Sequence, residues 1–275
     1  MGKTNKLYGV TKKLQPKKSS KRRKKTVKRR LSPWIVATAL SAVLLAVLLP
    51  YIRSGRLAET GAPVPKGYHS YCIDLSHHNG TAIAWDSLRV VIDARGRTSK
   101  DLLGAREILP VSRIYLKATE GASFRDRRFA QNWEAAGRIR AQRGAYHFFR
   151  SSADPKKQAE NFIATVGPLR HGDLSPVLDI ETLHRGCTKD TLNQRALTWL
   201  KAVEKHYGRR PVIYTSDRFA LDILSSDITE HYPLWIARYG GKTPDSPACT
   251  MWQFTDRAVI HGIRGYVDLS VVTTP

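Results

Sequence analysis

Pro176-Val177-Leu178-Asp179-Ile180-Glu181 is an apolar run that closes on two carboxylates. Side chains of a strand alternate faces, so Asp179 and Glu181 share one face while Ile180 takes the other. An acidic pair on one side of a buried β-run is unfavourable unless something uses it. Neighbouring carboxylates also push their proton affinities apart, so that one can act as an acid while the other stays charged. Such a pair suits cleavage of a sugar bond, where the leaving oxygen needs a proton and an oxocarbenium-like centre needs stabilising.

Similar runs recur on both sides of it. Tyr71-Cys72-Ile73 leads to Asp74, Ile114-Tyr115-Leu116 to Lys117, Gly144-Ala145-Tyr146 to His147, and Pro211-Val212-Ile213 to Tyr214. Leu234-Trp235-Ile236, Met251-Trp252-Gln253-Phe254 and Tyr266-Val267-Asp268-Leu269 complete eight expected strands. Helical spacing fills several gaps. Leu192, Ala196, Leu200, Val203 and Tyr207 line one face of an expected helix over 190–207, stopped by Gly208. Asp154-Pro155 caps and opens a second helix, and a third is expected from Arg127 to Arg140. Strand-helix alternation implies parallel pairing, and eight strands imply closure. The expected fold is therefore α/β, an irregular TIM-like (β/α) barrel. Little helix separates the last three strands, so its C-terminal end should be partly antiparallel.

Active sites of such barrels lie at the C-terminal strand ends. Those ends carry Asp74, Lys117, His147, Asp179 with Glu181, Tyr214, Gln253 and Asp268. Glu181 is the candidate general acid, with Asp179 and Asp268 raising its proton affinity by like-charge repulsion. Capping of the following loop or pairing with Arg185 is the purely structural alternative. Tyr146, Tyr214, Trp235, Tyr239 and Trp252 are candidate platforms for sugar rings, although core packing is the commoner fate of an aromatic. His147 is expected to support the site or touch substrate, and Lys117 and Gln253 are expected to bind substrate. His77 and His78 point different ways on an extended chain, so no metal site is expected. No cofactor motif, Gly-x-Ser-x-Gly elbow or phosphate loop appears.

The ends of the chain differ in character. Of the formal +23, residues 1–30 supply +14 with no acid. Pro33 to Ile52 is uncharged and rich in Leu, Ala and Val, long enough to cross a bilayer as a helix. The reading is a basic cytoplasmic tail (1–32), one transmembrane helix (33–52), a linker (53–66) and an exported domain (67–275) at the cell (inner) membrane. A cleavable signal peptide is disfavoured by the length of the basic and apolar segments. The tail lacks interleaved aromatics, so its expected partner is anionic lipid and no specific nucleic acid. Cys72 is expected as a buried thiol, and Cys187 with Cys249 as a disulfide permitted by export.

Beyond these readings, the chain resembles the family 25 glycoside hydrolases, the Chalaropsis-type lysozymes or N-acetylmuramidases, from about Gly67 onward. The resemblance rests on Ile73-Asp74-Leu75-Ser76-His77-His78-Asn79-Gly80, Leu116-Lys117-Ala118-Thr119-Glu120-Gly121, Gly144-Ala145-Tyr146-His147-Phe148 and the run ending at Glu181. Leu234-Trp235-Ile236-Ala237-Arg238-Tyr239, Trp252-Gln253-Phe254 and Val267-Asp268-Leu269 complete it. It implies a barrel that cleaves the β-1,4 bond between N-acetylmuramic acid and N-acetylglucosamine in peptidoglycan. It also implies Glu181 as acid, Asp179 as its partner, and Asp74 and Asp268 as further active-site acids. The segment Arg89 to Val111 is longer and more basic than the family usually has there. A chitinase-like hydrolase of another N-acetylated glycan and a non-catalytic peptidoglycan-binding module are the alternative readings. A monomer is expected.

Overall fold

Two-residue alternation sorts the side chains of this domain into two cores. The computed structural model describes residues 61–80, 82–246 and 249–273; the segments expected as basic tail and transmembrane helix lie outside them. Among the described residues no helix is long and apolar enough to cross a membrane. Strands β1 (Tyr71–Leu75), β4 (Ala105–Glu120), β6 (Gln142–Phe148), β7 (Val177–Asp179), β8 (Val212–Ser216), β9 (Leu234–Ala237), β10 (Cys249–Val259) and β11 (Tyr266–Val272) close into a barrel. From β4 through β10 every pairing is parallel, and β1 closes the ring by pairing parallel with β4. Among these eight described barrel strands only β11 runs antiparallel, between β10 and β1. The irregular, partly antiparallel C-terminal end expected from the sequence is this strand.

Inside the barrel, Cys72, Tyr115, Val177, Val212, Trp235 and Met251 form a dry plug. Gly144 belongs to the same layer, and a side chain there would run into the Tyr115 ring. The opposite strand faces contribute Ile73, Ile114, Leu116, Leu178, Ile213 and Ile236 to an outer core with Phe162, Trp199, Leu200 and Val203. Those partners sit on α2 (Pro155–Val166) and α3 (Lys189–Tyr207). Asp154 caps α2 by accepting the Lys156 and Lys157 N–H groups at 2.8 and 3.1 Å. Gly208, at φ 63°, ends α3 in the left-handed conformation open to glycine. The shorter α4 (Asp217–Asp222) and α5 (Ser226–Thr229) follow β8.

Two sequence expectations change, and the path of segment 89–111 becomes defined. The helix expected over 127–140 is α1 (Phe129–Ala136), because Gly137 ends it where the Arg143 guanidinium occupies the space of a side chain. Segment 89–111 is ordered: β2 (Arg89–Asp93) and β3 (Thr98–Ser99) form an antiparallel ribbon on the first half of β4. A further short strand, β5 (Phe124–Arg125), pairs with the end of β4. Cys187 and Cys249 are free thiols, and so is the buried Cys72. Cys249 opens β10 beside Leu234, at the N-terminal end of the strands, whereas Cys187 follows the C-terminal end of β7. Sulfurs at opposite ends of a barrel cannot approach bonding distance.

Arg143 and Asp173 tie the base of β6 to the loop before β7. Their ion pair is 2.8 Å long with both side chains 6% exposed, and the guanidinium lies 4.0 Å from the Trp133 ring centroid. Asp173→Ala would leave a buried charge without its counter-ion, so a loss of about 3–5 kcal/mol is expected. Urea unfolding followed by tryptophan fluorescence checks it, and a loss under about 1 kcal/mol would mean the arginine finds water instead.

Candidate active site

Two residues above the dry plug, the inward positions turn polar. Asp74, Lys117, Tyr146, Asp179, Tyr214 and Asp268 surround a cavity of about 220 Å³ with Ser76, His78, Phe148, Val177, Glu181 and Trp235. Strand register sets this ring: Asp74 lies opposite Asp268, Lys117 opposite Tyr146, and Asp179 opposite Tyr214. The chain stays extended past β7 because the Ile180 N–H donates to the Tyr214 carbonyl at 2.9 Å. Ile180 is buried in the outer core, and Glu181 emerges at the mouth on the same side as Asp179.

The two acids of that run differ sharply in environment. Asp179 is 7% exposed, and one of its oxygens has no hydrogen-bond partner, while Glu181 is exposed. Burial, then the Glu181 charge beside it, pushes the Asp179 carboxyl well above the usual carboxylate range. Burial and the facing Asp268 do the same to Asp74. Asp268 is pushed up to about 6, chiefly by burial. The buried aspartates thus hold their protons more tightly than an ordinary carboxylate does. Neutral phenols complete the wall, since burial and the nearby carboxylates raise Tyr146 and Tyr214 as well.

Gln253, expected to touch substrate, is 1% exposed and fully engaged. Its carbonyl oxygen accepts from the Tyr214 and Tyr239 hydroxyls at 2.8 and 2.7 Å. That fixes the amide orientation, so its nitrogen donates to Asp74 at 3.0 Å. Gln253 thus positions an acid and two tyrosines. Tyr239 stands at the rim with an exposed ring. Trp235 is buried beneath the acids, its indole N–H donating to Ser270 at 2.9 Å.

His147 lies on the other side of the wall. It stacks on Trp199 at 5.4 Å in the outer core, away from the cavity. Gln158, fixed by donating to the Arg150 and Ala153 carbonyls, accepts from His147 Nε2 at 3.1 Å. Nδ1 then accepts from the Thr119 hydroxyl at 2.7 Å. Burial holds this imidazole at a pKa of about 4, neutral and structural.

Glu120 and Phe148 were missed as site residues. Phe148 follows Tyr146 by two and was open to the same alternation. Glu120 follows Lys117 by three, which in a regular strand puts it on the opposite face. A bulge between Lys117 and Thr119 restores it to the mouth, where Lys117 donates to it at 2.6 Å. Burial alone would raise Glu120, but hydrogen bonds from Lys117 and Arg150 outweigh it and hold the carboxyl below its ordinary value. Lys117 also lies over the Phe148 ring, 4.9 Å from its centroid. One side of the mouth is therefore a charge-paired cluster, and the other holds aspartates whose proton affinity burial raises. Among the described residues, no three His, Cys, Asp or Glu side chains are placed to hold a metal ion.

Comparison with known proteins adds three findings. The family model of glycosyl hydrolases family 25 matches residues 73–263. YegX of Escherichia coli K12 is 38% identical over 159 residues, 57% of each chain, and Lysozyme M1 of Streptomyces globisporus is 30% identical over 210 residues, 71% of this chain and 65% of that one. The structure of a family 25 glycosyl hydrolase from Bacillus anthracis superposes with a TM-score of 0.63 at 25% identity, covering 78% of this chain and 94% of that one. The chain thus spans little more than half of the YegX relative.

Proposed function

Because the chain belongs to glycosyl hydrolases family 25, we propose that it is a membrane-anchored muramidase, cleaving the β-1,4 bond between N-acetylmuramic acid and N-acetylglucosamine in peptidoglycan. The observation that carries the reading is the convergence of Asp74, Asp179, Glu181 and Asp268 on one cavity with protons held among them. A polymer enters from the open side, so the exposed carboxyl is the one that meets the glycosidic oxygen. Glu181 passes a proton from the Asp179–Glu181 pair to that oxygen as the C–O bond breaks. Positive charge grows at the anomeric carbon and is offset by the pair, now carrying one more negative charge, and by Asp268. Water adds, and its proton returns to the pair.

Similarity to Lysozyme M1 supports peptidoglycan as substrate. The basic tail and the apolar run Pro33–Ile52 support a single-pass anchor, with the tail on anionic cytoplasmic lipid and the domain outside. Digestion of purified peptidoglycan by the full chain tests the reading. New reducing ends on muramic acid are expected. Ends on glucosamine would indicate a different glycosidase, and intact but bound polymer would indicate a binding module.

A further inference from the structure

The ribbon of β2, β3 and early β4 takes no part in the cavity, yet its turn presents two leucines to solvent. Leu103 is 100% exposed and Leu102 43%. We propose that this turn is a foot that seats the domain on an anionic lipid bilayer; the proposal rests on the reading of 33–52 as a membrane span.

The turn is built to hold the leucines outward. Asp101 accepts the Leu103 N–H, and Ser99 accepts the Asp101 N–H, both at 3.0 Å. A side chain at Gly104 would come within 2.6 Å of the Asp101 carboxylate, so only glycine closes this turn without displacing it. The segment that carries the apolar tip is basic: from Arg89 to Val111 stand five Lys or Arg against three acids. Each acid is engaged locally. Asp93 accepts the Arg95 and Arg97 N–H groups at 2.9 Å, Asp101 shapes the turn, and Glu107 pairs with Arg106 at 2.8 Å. An apolar tip on a net-cationic ribbon matches the two layers of an anionic membrane surface, acyl boundary and headgroup. Two leucines are too few for a stable protein interface, which takes roughly 800 Å² from each partner.

Position supports the same occupant. The chain joins the domain at this ribbon. The Ala62 N–H donates to the Thr98 hydroxyl at 3.0 Å, the Thr98 N–H to the Ala62 carbonyl at 2.8 Å, and the Val64 N–H to the Gly96 carbonyl at 2.9 Å. Thr98 is four residues from Leu102. Eight residues, 53–60, separate Ile52 from Gly61, and they span about 28 Å at full extension.

The test is amide hydrogen exchange of the full chain in vesicles containing phosphatidylglycerol and in vesicles of phosphatidylcholine alone. Amides of residues 102–106 should exchange about tenfold more slowly on the anionic vesicles. In the L102D/L103D variant that slowing should vanish while peptidoglycan hydrolysis is unchanged. Equal exchange on both lipids, or slowing that survives in the variant, overturns the foot. An alkaline carbonate wash separates the two readings. A chain that resists the wash while its tip exchanges freely keeps the anchor and loses the foot. A chain that washes out of vesicles yet shows a slowed tip loses the anchor and keeps the foot.

Discussion

Glu181→Gln is expected to lower peptidoglycan turnover by about 10²–10⁴-fold, the usual share of a positioned general acid. Glutamine keeps the shape of the side chain at the mouth but holds no transferable proton. Glu181 is exposed beside the buried Asp179, so the substitution opens no hole in either core. Binding to insoluble peptidoglycan, read by co-sedimentation, should be retained. The same variant should lose far less on an aryl glycoside whose acidic phenol departs without protonation. Equal losses on both substrates would show that Glu181 positions the sugar, and near-normal turnover of the polymer would remove it from the chemistry altogether.

That prediction grew from a three-residue pattern, and the reach of such patterns is instructive. Apolar residues followed two positions later by a polar one recur at Cys72 and Asp74, Tyr115 and Lys117, Val177 and Asp179, and Val212 and Tyr214. The strand faces make each of these a plug residue with a mouth residue above it. Barrel closure and the meeting of the acids were legible for this reason. His147 was misplaced by the same rule applied to the wrong phase, because Tyr146 and His147 cannot both face inward, and Tyr146 does. Glu120 was out of reach, since a bulge has no period. The Cys187–Cys249 pairing failed on topology: loop location says nothing about which end of a barrel a residue occupies. Burial, which two-residue spacing does not reveal, outweighs charge repulsion as the cause of the raised affinity of Asp74 and Asp179.

Asp268→Asn should produce opposite changes in stability and activity, and their pH dependence identifies the cause. The Asp268 carboxyl is pushed from an ordinary 3.8 to about 6 in the folded chain, chiefly by burial. Between those values the folded molecule binds more protons than the unfolded one, so stability falls as pH rises. Above pH 6 the loss is complete, and a shift of about two units corresponds to about 3 kcal/mol. Asparagine carries no charge at any pH, and its carbonyl can still accept a proton offered by Asp74. The variant should therefore unfold at higher urea than the parent at pH 8, by about 3 kcal/mol, with the gain gone by pH 4. Turnover should fall at least about 10²-fold, because a charge facing the developing cation has been removed. The parent's activity should climb through pH 6 as Asp268 ionises, and that limb should be missing in the variant. Parallel stability curves for the two proteins from pH 4 to 8 would mean that Asp268 ionises in the folded chain as it does in water. In that case Asp268 is charged across this whole range, and a limb in activity near pH 6 belongs to another group.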